Sequence, residues 1–193
     1  MKIWNLGYPR LGVQKKWWGD IRAFEHGEIS EETLLELGKK ELEVRWKTQH
    51  EMGLDSIPLN DFPFWDSVLD AAWLFGLVPR QTLKEESWVS AQRDLVLGNF
   101  QRQVLPLNLG KWFQTGYRCL LPEWAPKKEL KLERSKLDWE LSISKTSPYT
   151  HHLALIGPWT LAQFCQPHGR SKTDLLQELT PLYGLILLRS RAR

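Results

Sequence analysis

Apolar and polar positions follow two periods along this chain, and each change of period marks an element. Lys2 to Leu6 reads as a short strand, closed by Gly7-Tyr8-Pro9-Arg10, where glycine and proline punctuate the chain. A helical stretch follows from about Val13. Ser30, with Glu31 and Glu32 behind it, is a helix N-cap with acidic residues in the first turn. Leu34, Leu35, Leu42, Trp46 and Met52 then share one helical face, and Gly53 ends the helix. Leu54 to Leu59 is a second strand, finishing in Asn60-Asp61-Phe62-Pro63, after which Val68, Leu69, Ala72 and Phe75 recur at helical spacing up to Gly76. The pattern is weaker from Pro79 to Gly110, with a helix near Glu86 to Leu97 and a loop containing Pro106.

Tyr117 to Leu121 is a third strand, ending in Pro122-Glu123-Trp124. The charged stretch Lys127 to Arg134 is a solvated loop or helix start, and a helix follows near Ser135 to Ile143. His152 to Ile156 is a fourth strand, ending in Gly157-Pro158-Trp159-Thr160. The last helix starts from Ser171 as N-cap with Asp174 three residues on. Leu175, Leu176, Leu179, Leu182, Tyr183 and Ile186 line one side of it, and Pro181 is expected to kink it. Strands alternating with helices predict an α/β fold, a parallel sheet of βαβ units in a barrel or an open sheet.

Composition narrows the function classes. In 193 residues, 42% apolar positions suffice for a core, and eleven Trp make indole packing a large part of it. Lys and Arg total 26 against 23 acidic residues, and a net charge of +3 spread along the chain gives no footprint for nucleic acid. No run approaches 18 apolar residues and no signal peptide opens the chain, so a cytoplasmic protein without a membrane span is expected. Cys119 and Cys165 have no CxxC spacing and read as reduced buried thiols. His151 and His152 are adjacent, so in a strand they point to opposite faces and do not chelate one ion together. No metal site is expected.

Four polar clusters stand directly after the four strands. In a barrel that end is the active face, which makes Arg10, Asp61, Glu123 and Thr160 barrel-face candidates. The segments Asn5-Leu6-Gly7-Tyr8-Pro9-Arg10-Leu11-Gly12, Ile57-Pro58-Leu59-Asn60-Asp61-Phe62, Lys111-Trp112-Phe113-Gln114-Thr115-Gly116-Tyr117 and Leu155-Ile156-Gly157-Pro158-Trp159-Thr160 follow in an order that resembles the N-terminal domain of cobalamin-independent methionine synthase, from about Asn5 to Leu187.

The resemblance implies a (βα)8 TIM-type barrel that helps bind a polyglutamylated methyltetrahydrofolate. It also implies a separate C-terminal barrel with the catalytic zinc and homocysteine, to which the methyl group is transferred. It assigns Lys111 to the anionic glutamate tail, as a flexible point charge. After the Pro-Arg turn it expects a basic, acidic, apolar, basic tetrapeptide at the pterin-glutamate site, where this chain has Lys15-Lys16-Trp17-Trp18. The first charge is kept and an indole replaces the last; Trp17 or Trp18 is suited to stacking on a flat ring. Gly116 stands where the family has a polar amide.

Only four strands are found where a barrel has eight, so the expectation is one incomplete barrel over residues 1–193 with about four parallel strands and no C-terminal catalytic domain. Zinc is then implied only for that other domain. Three readings stay open: a truncated relic, a half-barrel completed by itself or by another chain, and a binding module that kept a folate-like pocket.

Overall fold

The computed structural model describes residues 2–9, 16–79, 82, 87–124, 129–166 and 168–191. The chain divides into two compact units. The first comprises residues 1–65 and 136–155, the second residues 66–135 and 156–193.

In the first unit, α1 (Lys16–Glu25) and α2 (Glu31–Glu51) lie ahead of strand β1 (Ile57–Leu59). Ser30 caps α2 by accepting from the Thr33 N–H, and Leu34, Leu42 and Trp46 are buried on the face that the apolar period marks. Gly38 on α2 lets the aromatic rings approach, since a Cβ there would stand 3.0 Å from Phe64 and 3.3 Å from Trp17. β1 pairs in parallel with β4 (His151–Leu153), in the register Ile57 to His151, and Trp4 adds a parallel bridge to Ser56 on the other side. All three residues of β1 are buried, as expected for a parallel strand covered on both faces. His152 ties these segments together. Its Nε2 lies 2.9 Å from the Asn5 carbonyl, which only accepts, so Nε2 carries the proton; Nδ1 then accepts from the Ser56 hydroxyl at 2.9 Å. Helix α5 (Ser135–Ser144) precedes β4.

The second unit holds α3 (Ser67–Leu74) and α4 (Trp88–Leu97), a hairpin of β2 (Asn108–Lys111) and β3 (Arg118–Leu121), then α6 (Pro158–Phe164) and α7 (Lys172–Arg191). Asp66 and Ser87 cap α3 and α4. Leu175, Leu179, Tyr183 and Ile186 form the buried stripe of α7, whose helix continues through Pro181; Tyr183 stacks on Phe75 at 4.3 Å and donates to the Ile156 carbonyl. Of the charged stretch, Leu130 is buried and the Glu133 N–H docks on the Leu74 carbonyl, so this part is packed rather than simply solvated.

Helices and parallel strands make this a mixed α/β chain. Of the four strands expected to lie parallel side by side, the second and fourth form the parallel ladder, and the first contributes the bridge at Trp4. The third differs. β3 pairs antiparallel with β2, because the short Trp112–Tyr117 connection can join only antiparallel neighbours, whereas a parallel crossover needs a dozen residues or more. Among the described residues the parallel ladder therefore has two strands, not four, and no closed barrel is formed. Among those residues no helix is long and apolar enough to cross a membrane.

Candidate functional site

Parallel strands end on the same side, and in the first unit this brings three chain segments together beyond Trp4, β1 and β4. Asn60 leaves β1 at φ 65, a left-handed conformation that Asn tolerates better than most side chains. Its amide side chain donates to the Ala154 carbonyl at 3.1 Å, and its N–H donates to Glu140 Oε1 at 2.7 Å. The Tyr8 N–H donates to Asp61 Oδ2 at 2.8 Å, while Arg45 Nη2 donates to the Tyr8 carbonyl at 2.8 Å and its guanidinium lies over the Phe62 ring at 4.7 Å. Lys136 and Glu140, one helical turn apart on α5, face each other at 3.8 Å.

Two cations and two carboxylates thus meet at the strand ends, and Arg45, Lys136 and Glu140 are at most 3% exposed. Burial pushes the Asp61 carboxyl above its usual range, against the pull of Arg45 and of the Tyr8 N–H; burial also lowers Arg45, against Asp61. The charges balance within the cluster. It holds the strand ends in place and leaves Asp61, the half-buried member, as the carboxylate nearest to solvent.

The basic-aromatic tetrapeptide is split by its helix. Lys16 and Trp18 are exposed on α1, and Arg22 lies 5.8 Å from the Trp18 ring centre. Trp17 is 1% exposed, wedged against Phe62 at 4.8 Å and Phe64 at 4.7 Å, so its ring faces are occupied by core packing while Trp18 is accessible. Through Phe62 the helix is joined to the strand-end cluster. Arg10 and Lys15 lie outside the described residues. A depression of about 520 Å3 on α2 is lined by Glu31, Glu32, Glu36, Leu35, Lys39 and Trp139; its three carboxylates do not suit an anionic ligand.

The second unit carries Lys111, Glu123 and Thr160. Lys111 is exposed at the end of β2, directly opposite Arg118. The loop beyond them is anchored by Trp112, which stacks on Phe164 of α6 at 4.7 Å. A Cβ at Gly116 would meet nothing within 4 Å, so packing does not dictate the missing amide there. Glu123 lies 3.6 Å from His168, and Thr160 sits in the first turn of α6. Arg118 is the residue that sequence reading passed over, because only the hairpin register places it against Lys111.

Among the described residues no three His, Cys, Asp or Glu stand together to hold a metal. Cys119 is buried opposite Gly110, where burial pushes its thiol up to about 11, so it is a poor source of thiolate.

The family described as cobalamin-independent synthase, N-terminal domain, matches residues 2–192. The chain belongs to this family. Among its relatives are proteins called 5-methyltetrahydropteroyltriglutamate–homocysteine methyltransferase. That of Salinibacter ruber is 28% identical over 95% of this chain, that of Listeria welshimeri 32% over 95%, and that of Flavobacterium johnsoniae 31% over 97%. The chain spans about a quarter of the length of these relatives, 24–25% of each.

Proposed function

We propose that this synthase-family chain contributes part of the binding surface for a methyltetrahydropteroyl oligoglutamate, the methyl donor in the relatives' names, and that it does not itself carry out methyl transfer. In this reading the parallel segments at Trp4, β1 and β4 belong to a (βα)8-type barrel, and their polar ends form its binding face. The exposed Lys111 at the tip of an anchored hairpin, in a chain matched by this family from end to end, is the observation that carries the reading. In the first unit, Lys16 and the exposed ring of Trp18 supply a cation and a flat stacking surface of their own. Homocysteine activation requires a metal with thiolate or imidazole ligands, and such a set is not assembled among the described residues.

Titrating the intrinsic Trp fluorescence with mono- and triglutamyl 5-methyltetrahydrofolate tests this reading. The triglutamate is expected to bind in the range of about 10–100 µM, or roughly 6–7 kcal/mol. The monoglutamate should bind more weakly, and high salt should narrow the difference, because exposed charge pairs are screened. Equal, salt-independent affinity for both ligands, or no saturation with either, would discard the proposal.

A further inference from the structure

Lys111 and Arg118 are direct partners in the antiparallel ladder, so both side chains leave the same face of the hairpin with Cβ atoms about 4.5–5.5 Å apart. Both residues are exposed, and among the described residues neither has a carboxylate partner. Like charges directly opposite one another weaken a ladder. The frame beneath them is nonetheless firmly built. The Trp112 N–H closes the loop on the Tyr117 carbonyl at 2.8 Å; the Thr115 hydroxyl donates to the Trp112 carbonyl at 2.7 Å and accepts the Tyr117 N–H at 3.2 Å. Trp112 and Phe113 both pack on Phe164, and Phe113 stands at φ 49, a conformation that a bulky residue keeps only where its surroundings enforce it.

From this we infer that Arg118 is the second cation of a two-point clamp, reading the number of γ-linked glutamates on the donor. Lys111 takes one carboxylate as a point charge, and Arg118 takes the carboxylate of a neighbouring glutamate through its planar fork. The mutual repulsion of the two cations is relieved when an oligoanion lies across them. The inference rests on the donor-binding reading above, and adds to it a residue and a basis for selecting tail length.

The test is to titrate the full chain and its Lys111→Ala, Arg118→Ala and Arg118→Lys variants with mono-, di- and triglutamyl 5-methyltetrahydrofolate, with circular dichroism to verify folding. Exposed pairs contribute little singly, so Arg118→Ala is expected to weaken triglutamate binding about three- to five-fold while changing monoglutamate binding less than about two-fold. Arg118→Lys should recover part of the loss. If Arg118→Ala keeps the wild-type preference for longer tails while Lys111→Ala loses it, the clamp is refuted and the donor-binding reading stands. If the wild-type chain saturates with none of the three ligands, both fail.

Discussion

Asp66 shows how one residue's two tasks conflict. Its carboxyl caps α3 by accepting from the Leu69 N–H at 2.9 Å, which favours the charged form, yet it is 5% exposed. Burial wins, and the carboxyl is pushed up to about 6, with nearby Asp70 adding to the shift. The folded state therefore holds a proton that the unfolded chain gives up near pH 4. The stability this contributes is fully present below about pH 4, declines as pH rises, and is gone above about pH 6. Asp66→Asn keeps an oxygen for the cap and removes the charge. It should match the wild type near pH 4 and exceed it by on the order of 1–3 kcal/mol at pH 7.5, as measured by urea unfolding at both values. A variant that is less stable than wild type at pH 7.5 would show that the carboxylate is needed in charged form.

At the scale of elements, the glycine in β2 is explained by its diagonal neighbour. Gly110 pairs with Cys119, and a Cβ added to it would stand 2.5 Å from Leu121 Cδ2 and 2.9 Å from Leu121 Cγ. Gly110→Ala is expected to cost about 1–2 kcal/mol by overpacking, and Leu121→Ala in the same chain should return part of that. Thermal unfolding of the two single variants and the double variant measures the coupling; strict additivity would mean that the contact is relieved without cost.

This hairpin is also where sequence reading fell short. β2 has no alternation of apolar and polar positions, and its residues are mostly exposed, so it carries no period-2 signal. Helix α6 was hidden for another reason: Gly157-Pro158 reads as a turn, although proline at the first helical position is also a normal way to begin a helix. Where amphipathic spacing was strong, as in α2 and α7, the helices stand where the pattern places them. At the candidate site the strand-end residues Asn60 and Asp61 were legible from their position after an apolar run. Arg45, buried in mid-helix, and Arg118, positioned by register alone, were not, because a long-range contact leaves no local trace.

At the scale of the whole chain, the first unit is closed by contacts between its two ends. His152 joins Asn5 and Ser56, residues 147 and 96 positions away. His152→Ala is expected to cost about 1–3 kcal/mol, since it removes two bonds and leaves a half-buried carbonyl and hydroxyl without their partner. Hydrogen exchange should quicken at the amide of Asp55, which bonds to the Ile3 carbonyl, more than in α7. Uniform loss of protection would instead mean that the imidazole supports global stability only.

The same discontinuity has a consequence for synthesis. Residues 1–65 leave the ribosome before residues 136–155, with which they belong, and the whole intervening stretch of the second unit must be translated before β1 can meet β4. At about 5–20 residues per second that interval lasts on the order of seconds, long compared with helix formation or collapse. Throughout it, Ile57 and Leu59 are an unpaired apolar strand on a nascent chain, and the Trp46 indole lacks the His151 ring it packs against at 4.6 Å. Residues 1–65 are thus made well before the segment they pack with and finish folding late, so they need a holding chaperone in that interval.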